Sequence, residues 1–370
     1  MIARSRTIVL AANSLWYITN FRVGLVRALR DGGYRPIVVA PSDPKNDPRL
    51  AELGIEFVPI EVDRKGLNPL AEIFLLARLR RLLRRLRPFA YVGFTIKPNI
   101  YGALAASTFG IPVIANVSGL GTAFIRPGAL QRIVTGLYRV AFRRAVVFFE
   151  NADDRRLFVD RKIVRAEQTR LVPGSGIDLD RFAVADLPSG SEIFLLIARL
   201  IGDKGVREFV EAARSLRPQM PDSRFQLLGG IDEGNRTSIQ RSELDAWVEE
   251  GVIEYFGETD DVRPFIAKAS AIVLPSYREG LPRSLLEGAA MGRPLIATDV
   301  PGCRDVVDEG VNGFLCEPHD PASLAHAMER LGRLPEQQRA SMGAASRRKV
   351  QEQFDEALVI RAYLDALASL

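Results

Sequence analysis

The sequence predicts an α/β protein made of two doubly wound domains that face a central cleft. Three observations carry that prediction. The chain has 370 residues, a length that suits two domains better than one. Short β-branched runs alternate with helical patterns from end to end, as parallel strands joined by crossover helices require. The alternation is interrupted near Pro173–Gly176, where PGSG separates two series of strands.

In the first series the candidate strands are Thr7–Ala11, Pro36–Ala40, Glu56–Ile60, Ala90–Phe94, Pro112–Ala115, Val146–Phe149 and Arg170–Val172. The second series is Ile193–Ala198, Arg224–Leu228, Ile253–Phe256, Ala271–Leu274 and Pro294–Ala297. A Gly- or Pro-containing turn and a helical pattern follow each strand, so both domains read as Rossmann-like. The expected domains are residues 1–172 and 173–350. A last amphipathic helix over Gln351–Leu370 is expected to pack back toward the first domain. The opening stretch MIARSRTIVLAANS reads as a first strand, because its apolar run is too short for a signal peptide. In open parallel sheets ligands bind beyond the carboxyl ends of the strands, so the turns after the strands are the places to search for chemistry.

Composition narrows that chemistry. A hydrophobic fraction of 47% and a charged fraction of 26% are ordinary for a globular protein. Two cysteines, Cys303 and Cys316, are too few for a disulfide framework and lack metal-ligand spacing. The only histidines are His319 and His326, which leaves little from which to build a His-based metal site or a Ser/His/Asp triad. No apolar run approaches the roughly 18 residues of a spanning helix, so the chain reads as soluble or peripheral. Charge is uneven: residues 1–172 hold 28 Lys and Arg against 13 Asp and Glu, and the remainder holds 22 against 32. Between Ile73 and Phe149 lie twelve basic residues and no acidic one. The two halves therefore meet different partners.

Three segments of the second half form the candidate donor site. In IARLIGDKG, Arg199 and Lys204 follow a strand end; two cations beside a helix start suit a diphosphate, although cations in turns are also common solvated charges. In YREGLPRSLLEGAAMGRP, Glu279 and Glu287 are eight apart, with Gly280–Pro282 opening a helix that contains Glu287. Gly280 lets a ligand approach the backbone, free N–H groups at the helix start meet an anion or a sugar oxygen, and a carboxylate accepts two hydrogen bonds from a diol. A solvated helix glutamate is the plain alternative for Glu287. In YFGETDD, the backbone at Gly257 can lie against a planar base, while Asp260 and Asp261 equally suit caps for the next helix.

Arg199 and Lys204 in ARLxxxKG, with Glu279 and Glu287 in EGLPRSLLE, resemble the signature of retaining glycosyltransferases of the GT-B fold, family 4. The stretches GSGIDLDRF (174–182), PSYREG, PGCRDVV and NGFL match as well, so the resemblance covers nearly the whole chain. It implies that Arg199 and Lys204 bind the donor diphosphate, that Glu287 holds the ribose, and that Glu279 holds hydroxyls of the transferred sugar with the Gly280–Leu281 backbone. It also implies a UDP-sugar donor and no metal or other cofactor. TIKPNIYGALAA (95–106) and NVSGLGTAF (116–124) are similar to bacterial enzymes that extend sugars on undecaprenyl diphosphate, in cell-surface polysaccharide or glycan assembly.

The acceptor side belongs to the first half. Over Leu75–Arg87, Leu75, Leu76, Leu79, Leu82, Leu83 and Leu86 fall on one helical stripe. The stripe suits packing on a sheet, which leaves Arg78, Arg80, Arg81, Arg84, Arg85 and Arg87 outward with no carboxylate among them. Such a face attracts anionic lipid, and Arg132, Arg139, Arg143 and Arg144 extend it. Nucleic acid is the rival polyanion, but no DNA- or RNA-binding module is recognisable. A peripheral position on the inner face of the cytoplasmic membrane is expected. Lys97 and Asn99 in KPNIYG, and Gly119 and Gly121 in SGLG, are expected to line the acceptor side. So is the first turn, with Asn13, Ser14, Asn20 and Arg22; many family members carry a Gly-Gly pair there and this chain does not.

Several members of the wider family place a histidine in the first domain, and none occurs here before His319. Retention then rests on the leaving phosphate taking the acceptor proton on the same face, with positioning and cationic stabilisation by Arg199 and Lys204. Three rivals share the architecture: a soluble transferase with a small-molecule or glucan acceptor, a sugar-nucleotide 2-epimerase, and a non-catalytic nucleotide-sugar-binding scaffold. A bare cationic helix has no use in an epimerase, and the four-residue signature has none in a scaffold.

Overall fold

The computed structural model describes residues 6–63, 68–119 and 128–370. The chain divides into two compact units, Met1–Gly176 with Glu356–Leu370, and Ile177–Asp355.

In the first unit seven parallel strands lie in the order β3-β2-β1-β4-β5-β6-β7. They are β1 (Thr7–Ala11), β2 (Arg35–Ala40), β3 (Glu56–Pro59), β4 (Ala90–Phe94), β5 (Val113–Val117), β6 (Val146–Phe149) and β7 (Thr169–Leu171). β1, β4 and β5 are buried at every residue, which is why they read as unbroken apolar runs and not as alternating ones. The helices Pro69–Leu86 and Ala129–Ala141 share one core with the sheet; Leu15–Phe21, Val23–Asp31 and Glu356–Ala368 share the other.

The second unit repeats the scheme with six strands in the order β10-β9-β8-β11-β12-β13. These are β8 (Ile193–Ile197), β9 (Arg224–Leu228), β10 (Glu254–Tyr255), β11 (Ala271–Leu274), β12 (Leu295–Thr298) and β13 (Gly313–Cys316). In each sheet the winding reverses once, between β1 and β4 and between β8 and β11. Those switch points open a crevice beyond the strand ends where ligands bind in such folds.

Three features differ from the sequence reading. β13 is an additional strand, paired with β12; four residues starting with glycine carry too little pattern to announce it. The expected single helix over 351–370 is two, Glu336–Gln353 and Glu356–Ala368, because the chain turns at Phe354–Asp355 and Ile177 N–H donates to Phe354 O at 2.8 Å. The second of these helices belongs to the first unit. The units divide after Gly176, four residues beyond the expected 172.

The Pro69–Leu86 helix starts at Asn68, whose side chain accepts from Leu70 N–H at 3.0 Å, with Pro69 in the first turn. Leu75, Leu79, Leu82 and Leu83 are buried, and Leu76 and Leu86 are partly so. Arg87 lies just past the helix, in the left-handed region at φ 41°. No helix among the described residues is long and apolar enough to cross a membrane.

Candidate active site

At the second switch point the turns after β8, β11 and β12 are clamped together. Gly205 has φ +70°, and a Cβ there would sit 2.0 Å from Pro275 O, so only glycine lets the β8 turn press on the β11 turn. Tyr277 N–H and the Ser276 hydroxyl both donate to Asp203 O, at 3.0 and 3.1 Å. Glu279 N–H donates to Pro301 O at 3.2 Å. The Glu279 and Gly280 carbonyls lie within 2.8 Å of where a Cβ on Gly302 would stand.

That clamp brings Lys204 and Glu279 together. The Lys204 ammonium donates to Glu279 Oε1, and both side chains are mostly buried. Lys204 ends a short turn, Gly202–Lys204, immediately before the helix Val206–Leu216. Arg199 follows β8 and is 60% exposed, with its guanidinium 2.7 Å from Asp232 Oδ2. The site thus holds two cations at one strand end, each matched to a carboxylate.

Glu287 is the fifth residue of the helix Arg283–Ala290. Leu281 is buried in the core beneath it and ties down the turn that opens the helix. Arg283 Nε donates to Glu287 Oε1 at 3.2 Å. Burial pushes the Glu287 carboxyl above its ordinary range, against the pull of Arg283 and Arg181. Gly257 follows β10 at φ +69° with nothing within 4 Å of a Cβ position, so its surface is open to a flat ligand. Asp261 accepts from Arg263 N–H at 3.1 Å and from the same guanidinium at 2.7 and 2.8 Å, a structural role at the start of Arg263–Lys268. Among the described residues no group of three or more His, Cys, Asp or Glu gathers as metal ligands.

The candidate acceptor residues are less uniformly available. Asn13 N–H donates to Thr95 Oγ1 at 3.2 Å, joining the β1 and β4 turns. Lys97, expected to line the acceptor side, is mostly buried in an ion pair with Glu72, as Lys204 is with Glu279. Asn99 is buried and donates to Asn116 O at 2.7 Å, so it braces the β5 end and presents no amide to solvent. Arg22 is wholly buried: it donates to the Tyr17 hydroxyl at 2.6 Å and to Glu150 at 3.4 Å, and lies 4.6 Å over the Phe94 ring. Gly119 closes the β5 turn at φ +134°, and Gly121 lies outside the described residues.

On the Pro69–Leu86 helix, Arg80, Arg81, Arg84 and Arg85 are exposed, as is Arg87 beyond it. Arg78 is paired with Glu61 and is not a bare cation. The sequence pattern did not disclose that Leu70, Ile73 and Phe74 are 64, 61 and 62% exposed on the same helix. The residues missed at the candidate donor site are partners: Arg283, Asp232 and Asp203. Arg283 was readable, since i,i+4 neighbours share a helix face; Asp232 and Asp203 meet their partners only through the fold.

Two family models cover most of the chain. Residues 19–174 match the glycosyl transferase 4-like domain, and residues 191–333 match the glycosyl transferases group 1 domain. The chain belongs to the family 4-type glycosyltransferases of the GT-B fold. Over 366 residues, 94% of each chain, it is 26% identical to N,N'-diacetylbacillosaminyl-diphospho-undecaprenol alpha-1,3-N-acetylgalactosaminyltransferase of Campylobacter jejuni. Over 252 residues, 64% of each, it is 27% identical to an Escherichia coli UDP-Gal:alpha-D-GlcNAc-diphosphoundecaprenol alpha-1,3-galactosyltransferase. Among solved structures, a Rickettsia africae glycosyltransferase superposes with a TM-score of 0.80 at 18% identity, covering 99% of this chain and 98% of that one. Anabaena HepE, solved with UDP-glucose, superposes at 0.82 and 19% identity, covering 98% and 100%. These likenesses establish the fold of the glycosyltransferase described here.

Proposed function

We propose that this glycosyltransferase moves a hexose or N-acetylhexosamine from a UDP-sugar to a saccharide linked to a polyprenyl diphosphate, with retention at the anomeric carbon. The observation that carries the reading is the meeting of Lys204 with Glu279 at the ends of β8 and β11, with Arg199 in the same turn after β8 and Glu287 in the helix that follows the turn after β11. A donor diphosphate would take Lys204 and Arg199 from their carboxylates, leaving Glu279 to accept from sugar hydroxyls and Glu287 from the ribose diol. The uracil would lie on the open Gly257 backbone. The names of the two relatives, both acting on diphosphoundecaprenol-linked sugars, support the acceptor class.

In the proposed reaction the bond from the anomeric carbon to the β-phosphate oxygen breaks, and the acceptor hydroxyl oxygen bonds to that carbon on the same face. The hydroxyl proton passes to the departing phosphate oxygen. Lys204 and Arg199 stabilise the negative charge that develops there, so positioning and fixed charge supply the catalysis without a metal. The alpha linkages in the relatives' names fit retention, because a UDP-hexose carries its sugar in the α configuration.

The lipid acceptor calls for a membrane surface, and the Pro69–Leu86 helix suits one. Its exposed side carries Leu70, Ile73 and Phe74 toward one end and Arg80, Arg81, Arg84 and Arg85 toward the other. Apolar groups that enter the interface and cations that meet anionic headgroups are the two components of peripheral binding. The inner face of the cytoplasmic membrane is the surface we propose.

The test is a donor screen followed by transfer. Thermal stabilisation by one UDP-sugar, lost in Glu279→Ala, together with transfer to a prenyl-diphosphate-linked sugar, establishes both halves. Stabilisation with transfer only to soluble sugars moves the acceptor class. No stabilisation by any sugar nucleotide overturns the donor assignment.

A further inference from the structure

We propose that Trp16 is the stacking platform for the acceptor saccharide; this rests on the acceptor reading above and extends it to a residue with no part in that reading. The segment after β1 forms the helix Leu15–Phe21 at the carboxyl edge of the first sheet, at the β1/β4 switch point. Leu15, Ile18 and Thr19 are buried in that helix. Trp16 and Asn20, four residues apart, take the opposite side, and Trp16 is 48% exposed. A single exposed aromatic means little by itself. Its bracing, its place and its polar neighbours give this one content.

The bracing is a chain of ring contacts that ends in the core. Trp16 meets Phe21 edge-on at 5.0 Å and 86°, and Phe21 meets Tyr17 at 5.5 Å and 81°. The Tyr17 hydroxyl is held by the wholly buried Arg22, which also reaches Glu150 after β6. The indole is therefore braced along one edge before a ligand arrives, which lowers the side-chain entropy lost when one binds.

The place and the neighbours suit a pyranose ring. A sugar presents a C–H face with a rim of hydroxyls; an aromatic face attracts the polarised C–H groups, and amides serve the rim. Asn13, half-buried three residues before Trp16, makes no side-chain hydrogen bond among the described residues. Asn20, one helical turn after Trp16, donates to the Trp16 backbone O at 2.9 Å and to the Thr19 hydroxyl at 3.4 Å and accepts from Arg49 at 3.3 Å, which holds an amide and a guanidinium on the same side of the helix as the indole. An aromatic wall with neutral amides and one cation matches a hexose or N-acetylhexosamine ring better than it matches a bare phosphate.

The chain has two tryptophans, so Trp247→Phe in the full-length protein leaves Trp16 as the sole indole emitter. This protein is titrated with an N-acetylhexosamine linked through diphosphate to a short prenyl chain, with the sugar-free prenyl diphosphate, and with vesicles of anionic phospholipid. A saturable emission change with the sugar-bearing compound alone is the expected result. In parallel, Trp16→Ala raises the KM for the acceptor about ten-fold while the KM for the UDP-sugar and its slow hydrolysis stay within about two-fold. Trp16→Phe recovers most of the loss, and it stands in if the alanine variant fails to fold. An unchanged acceptor KM in a transferring enzyme overturns the inference. An emission shift on vesicles alone makes Trp16 an interfacial lipid contact and overturns it too. If the wild-type protein transfers to no lipid-linked sugar, the acceptor reading has failed instead. Free N-acetylhexosamines and their disaccharides are then titrated against Trp16, and silence from all of them overturns the platform.

Discussion

Lys204 and Glu279 lie 75 residues apart in sequence and share an ion pair at the mouths of two neighbouring strands. In the proposed donor reading, each is the group the other leaves when a diphosphate and a sugar arrive. Lys204→Ala should lower kcat/KM at least about 10²–10³-fold, the range for removing one preorganised charge from a developing anion. The circular-dichroism melt should remain cooperative, because the turn is held by Gly205 and Asp203 and not by the ammonium. Near-normal turnover would sink the donor assignment.

Two glycines test the site's shape separately from its charge. Gly205 and Gly257 have nearly the same φ, +70° and +69°, but a Cβ meets Pro275 O at 2.0 Å at the first and nothing within 4 Å at the second. The left-handed backbone costs an alanine about 1 kcal/mol at either position. Gly257→Ala should lose only that much stability by denaturant unfolding, yet weaken UDP binding by placing a methyl on the open surface. Gly205→Ala should lose clearly more, since the β8 and β11 turns must part. Equal losses would mean that the close approach is not rigid.

Much of this was legible in the sequence, and the rest was hidden for definite reasons. β1, β4, β6, β9 and β11 stand where apolar runs meet turn residues, because strands buried on both faces leave no other pattern. The residue types gathered at the candidate donor site could be listed from the sequence, but their pairing could not: periodicity does not say which turns meet. The Lys97–Glu72 pair was hidden because Glu72 sits one residue before the carboxylate-free stretch and meets the lysine, 25 residues on, only through the fold. Arg22 misled because charge in a turn implies solvent, whereas Tyr17 and Glu150, the latter 128 residues away, receive it inside. The exposed Leu70, Ile73 and Phe74 precede the leucine stripe and share its residue class, so only the fold distinguishes the buried from the bare.

Glu287 offers a test that needs no substrate. Its carboxyl is pushed up by burial, the largest influence on it, and only partly drawn back by Arg283 and Arg181. A raised folded pKa means stability that is full at acid pH, where both states hold the proton, and lost as pH rises through the folded value. Glu287→Gln keeps the shape and removes the charge. Its melting temperature should match wild type near pH 4 and exceed it increasingly toward pH 8, while its affinity for UDP falls. A Gln variant less stable than wild type at pH 8 would show that the Arg283 pair outweighs burial.

The arginine face and the apolar turns of the Pro69–Leu86 helix should separate by salt. Each exposed arginine near an anionic surface contributes about 1 kcal/mol, so reversing Arg80, Arg81, Arg84 and Arg85 to Glu should weaken binding to anionic vesicles by about 10³-fold or more at low salt. That electrostatic part shrinks as the Debye length falls. The part due to Leu70, Ile73 and Phe74 does not, because apolar transfer is indifferent to screening. A Leu70→Ser, Phe74→Ser variant should therefore bind well at low salt and detach at about 0.5 M, where wild type is partly retained. Co-sedimentation across a salt series reads both. If the charge reversals leave binding unchanged, the helix has no membrane role. If the serine variant tracks wild type at every salt, attraction is electrostatic alone and the three apolar side chains stay outside the lipid.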